Sequence, residues 1–185
     1  MIVFISMLRG VNVGGHNIIK MEALRALYES LGLAGAQTHI QSGNVVFRAK
    51  EKDSARLAKK IGDAIERTFG FCPPVILRTS GELRQVIAKN PFVSRKDINP
   101  GKLVVFFLAT DPGAEIREKI LAIKPELEEI RFDGRELSIY FPNGMGKTKL
   151  SIPKIEKLLQ TPATARNWNT VQKLLEMAES LEGVR

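Results

Sequence analysis

Apolar positions along this chain fall into short blocks that alternate between two periods. Residues 2–9 are apolar and partly β-branched apart from Ser6 and the closing Arg9, the pattern of a central strand buried on both faces. Met21, Leu24, Leu27, Tyr28 and Leu31 then recur at helical spacing, and Gly32 is placed to stop that helix. Residues 38–41 and 44–48 read as strands on either side of a Ser42-Gly43 turn. Leu57, Ile61, Ala64, Ile65 and Phe69 mark a second helix, and 75–78 a short strand. Thr79 with Glu82 predicts a capping box for a third helix, which Asn90-Pro91 ends.

The second half repeats much of this. Residues 103–108 form another continuous apolar strand, and Asp111-Pro112 opens a helix carrying Ile116 and Ile120. Residues 129–132 and 136–141 read as strands joined by an Asp133-Gly134 turn. Ile152, Ile155, Leu158 and Leu159 make a helical stripe, and 171–181 a last amphipathic helix. The first half therefore reads β-α-β-β-α-β, the ferredoxin-like order, and the second β-α-β-β-α-α. The expected fold class is α+β: a tandem duplication of two ferredoxin-like (βαββαβ-type) halves with extra helices. The expected boundaries are 1–92 for the first half, 93–101 for a linker carrying Asn99-Pro100-Gly101, and 102–185 for the second.

Composition narrows the function classes. The net charge of +8 is compatible with an anionic small molecule, a nucleotide or a nucleic acid as partner. The single cysteine, Cys72, cannot form an internal disulfide, which fits a cytoplasmic protein. The apolar start is too short for a signal peptide, and no run of about 20 apolar residues predicts a membrane span. Two histidines and one cysteine argue against a zinc site, and no cofactor is implied.

Candidate chemistry concentrates in a few segments. Residues 8–17 (LRGVNVGGHN) and 163–170 (ATARNWNT) offer amides, hydroxyls and an Arg each, with no carboxylate. Gly14-Gly15, between a strand and a helix, can let backbone N–H groups approach a phosphate, or can serve a loop that needs positive φ. Gly144-Met145-Gly146-Lys147-Thr148 has the ending of a P-loop without its first glycine, since position 141 is Phe. Lys147 and Lys149 there can hold an acidic group. Asn169 with Gln172 fits a capping box, whereas Arg166 has a planar fork suited to phosphate or carboxylate.

The residues 8–17 with Met21, the run QSGNVVF at 41–47, Asn90-Pro91-Phe92, 140–150 and 163–175 together resemble the bacterial domain-of-unknown-function family 1697. The resemblance implies a cytoplasmic bacterial α+β protein of two related halves. It also implies that 9–17, 42–44 and 164–170 are characteristic positions. The family carries no established activity, so no catalytic role transfers.

The first expectation is thus a binding module whose two halves form a cleft for an anionic ligand. Its site residues are Arg9, Asn12, Gly14, Gly15, Asn17, Ser42, Asn44, Lys147, Lys149, Arg166 and Asn167. The alternatives are a transferase or hydrolase acting on an anionic substrate with His16 as general base, an RNA-binding module, and a partner-binding protein whose polar motifs are internal locks. The RNA reading rests on the first-strand run Val3-Phe4-Ile5-Ser6-Met7-Leu8 and on Phe47. Ser6 or Ser42 with His16 can be drawn as nucleophile and base, but no nucleophile elbow supports the pair.

Overall fold

The computed structural model describes residues 1–183. The chain divides into two compact units, one holding residues 1–84 and the described residues from Lys173 onward, the other Gln85–Gln172.

The first unit is built on β1 (Ile2–Leu8), α1 (Met21–Ser30), β2 (Ala34–His39), β3 (Asn44–Ala49), α2 (Ser54–Phe69) and β4 (Val75–Thr79). Its antiparallel sheet has the order β2-β3-β1-β4. The apolar run of β1, broken only by Ser6, is explained by that central place, with β3 on one side and β4 on the other. Phe4, Val45, Phe47 and Leu77 pack with Leu24 and Tyr28 of α1 and Leu57, Ile61 and Ile65 of α2. Each such side chain contributes about 1.5–3 kcal/mol on burial. Asp53 caps α2 by accepting from Ala55 N and Arg56 N at 2.9 and 3.1 Å, and Gly70 at φ 82° ends it. The second strand begins and ends earlier than its letters predict. It is an edge strand with one buried residue, Ala36, and a register shift between Ala34 and Gln37, so no clean alternation marks it.

The helix α3 (Ser80–Lys89) opens on the predicted capping box: Thr79 N donates to Glu82 Oε2 at 2.7 Å and Glu82 N to Thr79 Oγ1 at 3.1 Å. The division between units falls within this helix, and again within α6 (Trp168–Gly183).

The second unit holds β5 (Leu103–Leu108), α4 (Ala114–Leu121), β6 (Glu129–Asp133), β7 (Glu136–Tyr140), α5 (Ile152–Leu159) and β8 (Ala163–Asn167). Its antiparallel sheet has the order β6-β7-β5-β8. The strand β8 corrects the expected β-α-β-β-α-α order. Its letters, Ala-Thr-Ala-Arg-Asn, have low strand propensity, and only pairing with the central strand β5 makes them extended. The 93–101 segment is firmly tied within this unit. Arg95 Nη1 donates to both carboxylate oxygens of Glu129 at 2.7 and 2.8 Å, and Asn99 Oδ1 accepts from Gly101 N at 2.9 Å. Asn90 Oδ1 accepts from Phe92 N at 3.0 Å, and its amide donates to Ser138 Oγ at 3.3 Å, so Asn90-Pro91-Phe92 is a buried turn.

Candidate functional site

The 9–17 loop leaves the end of β1 and folds into a miniature hairpin. Val13 pairs with His16, whose N donates to Val13 O at 3.0 Å. Gly14 and Gly15 at φ 58° and 79° form its two-residue turn, where positive φ at both positions demands glycine. Four residues separate His16 from α1, so the glycines do not open that helix as a phosphate loop would, and the turn reading holds.

Asn12 is the hub. Its Oδ1 accepts from Ile19 N at 2.8 Å, and its Nδ2 donates to Ile19 O and to Gln41 O, each at 2.9 Å. The last bond joins this loop to the β2–β3 connection. There Gly43 O accepts from Leu8 N at 3.0 Å. Gly43 has φ 71°, and a Cβ on it would lie 2.8 Å from Leu8 Cβ, so no larger residue fits. The structure thus brings Arg9, Asn12, Gly14, Gly15, Asn17, Ser42 and Asn44 to one end of the first sheet. They are not equally available. Asn44 is buried, its amide donating to Ser42 Oγ at 2.8 Å and to His39 O at 3.2 Å. Asn17 is exposed and donates to Gly10 O at 3.0 Å, while Arg9 is half-buried.

In the second unit Arg166 lies on β8, opposite Val105, and is 8% exposed. Its Nη1 donates to Thr164 Oγ1 at 2.7 Å and to Ala165 O at 2.8 Å. Burial pulls its pKa down to about 10, so the buried side chain remains a cation at neutral pH. Asn167 Nδ2 donates to Gly101 O at 2.7 Å, and its Oδ1 accepts from Asn169 N at 2.9 Å. Asn167, not Asn169, therefore caps α6, and Trp168 is buried.

Lys147 closes a 3-10 turn, Met145–Lys147, and is exposed. Lys149 Nζ lies 3.0 Å from Glu126 Oε2, and Thr148 bonds Glu128. A cavity of about 290 Å³ beside this loop is lined by Lys124, Lys149 and Lys154 with those two carboxylates, so its charges largely cancel. The Ser151-capped helix starts after it, at Ile152, not on Lys147 as in a P-loop.

Two sequence expectations are overturned by burial. Ser6 is buried on β1 and bonds the Tyr28 hydroxyl at 2.8 Å, leaving it no route to act as a nucleophile. Phe4 and Phe47 stack on each other at 5.9 Å inside the helix-covered core and cannot receive bases. Among the described residues, no cluster of three or more His, Cys, Asp or Glu is placed to hold a metal ion.

Sequence reading missed two features. Arg78, 1% exposed, is the fourth residue of β4, as Arg166 is of β8. It faces central Ile5 and sends Nη1 to Leu77 O at 2.8 Å, repeating the Arg166 contact with the preceding carbonyl. The other is a cavity of about 560 Å³ in the first unit, bordered by Lys50, Arg56 and Lys60. The four-residue spacing of Arg56 and Lys60 on one helix was the available signal.

An eight-stranded, six-helix molecule with two four-stranded antiparallel sheets is an α+β protein, so counted among the described residues. The model of a family described as "Protein of unknown function (DUF1697)" matches residues 1–138 of the 185, and the chain belongs to that family. The 163–175 motif lies beyond the matched segment. The structure of the conserved bacterial protein SP0830 from Streptococcus pneumoniae is similar, with a TM-score of 0.73 and 22% identity over 96% of this chain and 98% of that one. Likeness at that identity speaks for the fold alone. No curated protein matches the chain.

Proposed function

We propose that this chain is a binding module for an anionic ligand, a phosphorylated metabolite or a nucleotide, held at the loop end of the first sheet. The observation that carries this reading is the Asn12 hub. It fuses two segments that contain no carboxylate: none occurs before Glu22, and none between Glu29 and Glu51. The surface so formed presents exposed His16, Asn17 and Lys20 beside half-buried Arg9. An anion approaching it meets donors and positive charge, with exposed Glu22 in the first turn of α1 the nearest acid along the chain. Arg166 supports folding in this reading, because its guanidinium is buried against its own strand.

A thermal-shift panel of nucleotides, phosphorylated metabolites and a short RNA at low salt tests this. A saturable stabilisation, with affinity weakened about tenfold by Arg9→Ala, is the expected result. No saturable shift with any member overturns the reading. A response to RNA alone, falling steeply with salt, replaces the small ligand with nucleic acid.

The same proposal extends to the architecture: the units are tandem copies of a ferredoxin-like βαββαβ unit, each followed by a helix. The matching strand orders and the matching positions of Arg78 and Arg166 support it. We place the protein in the bacterial cytoplasm, which the lone exposed Cys72 supports. No described helix is long and apolar enough to cross a membrane.

A further inference from the structure

The loop end of the first sheet is reached at Met7 and Asn44, which pair across β1 and β3; the opposite end is reached at Ile2 and Ala49, roughly 17 Å of strand away. At that opposite end lies the cavity of about 560 Å³, within the volume range of small-molecule pockets. Its walls come from the residues after α1, the end of β3 and the first two turns of α2.

Its polar rim is lopsided. Lys50, Arg56 and Lys60 are exposed cations, against one carboxylate, Glu51. Glu51 is already engaged: Oε1 accepts from Lys52 N at 2.9 Å and Asp53 N at 3.1 Å, and Oε2 lies 3.7 Å from Arg56 Nε. Those backbone bonds hold its carboxyl below the usual range, so it remains ionised and the rim keeps a net charge of about +2. Lys60 Nζ donates to Leu31 O at 2.9 Å, which positions the ammonium over the end of α1. An ammonium has three donors, so further N–H groups remain for a ligand. The apolar part of the wall comes from exposed Met1 and half-buried Leu31, over a floor of buried Leu33, Ala49 and Leu57.

We propose that this cavity binds a small amphipathic anion, a phosphate monoester with an apolar body, whose body packs on Met1 and Leu31 over the Leu33, Ala49 and Leu57 floor and whose head is held by Lys50, Arg56 and Lys60. The site is separate from the loop end and does not depend on ligand binding there.

Amide NMR titration of the full chain with phenyl phosphate and with inorganic phosphate tests it. Phenyl phosphate saturates in the low millimolar range or tighter, about tenfold tighter than inorganic phosphate, with shifts centred on 31–33 and 49–60. The Arg56→Glu/Lys60→Glu double variant, and separately Lys50→Glu, weakens phenyl phosphate binding about tenfold or more. The surface variant Lys119→Glu, which changes net charge equally to Lys50→Glu, leaves it unchanged. Equal affinity for both phosphates overturns the proposal. So do shifts centred on 9–20, equal losses in Lys119→Glu and Lys50→Glu, or no saturation. Shifts centred on 9–20 would at the same time support the loop-end reading, so the two proposals fail separately.

Discussion

The 9–17 loop and the strand β8 each carry one Arg, at least one asparagine, small residues and no acid, yet they have opposite fates. In β8 the chain is extended against β5; Arg166 is buried and bonds its own strand, while Asn167 caps α6 and holds Gly101. In the loop Asn12 ties the chain to Ile19 and Gln41 and Asn17 bonds Gly10 O, yet His16, Asn17 and Lys20 remain exposed. Residue type therefore does not make a polar motif a site. What decides is whether neighbouring backbone has already consumed its donors and covered its charge.

The largest expected break in this comparison is Arg166→Ala. It removes a packed stem and the hydrogen bonds to Thr164 Oγ1 and Ala165 O and should cost about 2–4 kcal/mol, against under about 1 kcal/mol for Arg9→Ala. Urea denaturation of both variants checks it; equal losses would erase the distinction.

Next come two glycines. Gly43→Ala meets Leu8 Cβ at 2.8 Å in addition to an unfavourable φ, while Gly15→Ala has open space and only the φ penalty. Costs of about 3 and about 1 kcal/mol follow, read from the shift in thermal midpoint. Asn12→Ala should cost about 1–2 kcal/mol by leaving part-buried Ile19 N and Ile19 O without their partner, while exposed Gln41 O turns to water. Its sharper signature is faster amide exchange across 9–20, with β8 unaffected.

A smaller effect is pH-dependent. Burial, reinforced by Lys173, lowers the pKa of His39 below 6.5. The unfolded chain therefore takes up the proton first. The contribution is intact above pH 6.5 and is lost as pH falls from there through the folded value. His39→Gln should flatten the stability profile in that window; an unchanged slope would assign it to another group. Smallest of all, Lys149→Ala removes an exposed pair with Glu126 and should change stability by at most about 1 kcal/mol.

Much of the fold was legible because the period of apolar residues reports burial directly. The runs of β1 and β5 announced central strands, and Thr79 with Glu82 announced the start of α3. The strand β8 was illegible for the same reason: its burial comes from the neighbour it pairs with, not from its own side chains. Within the candidate site, the need for glycine at 14 and 15 was readable as turn chemistry. The link from Asn12 to Gln41 was not, since 29 residues separate them. The cavity at the far end of the sheet was half legible: spacing puts Arg56 and Lys60 on one face of α2, but nothing local joins them to Lys50 beyond the end of β3.

The sequence by itself determined the element order, the two central strands, the absence of carboxylates from 1–21 and 30–50, and membership of the family, because each is a local pattern. Tertiary structure alone decided which of two similar polar motifs is covered and which is open. It also decided that Ser6, Phe4 and Phe47 are interior. Those outcomes depend on long-range pairing and desolvation, whose energies come from partners that the local letters do not name.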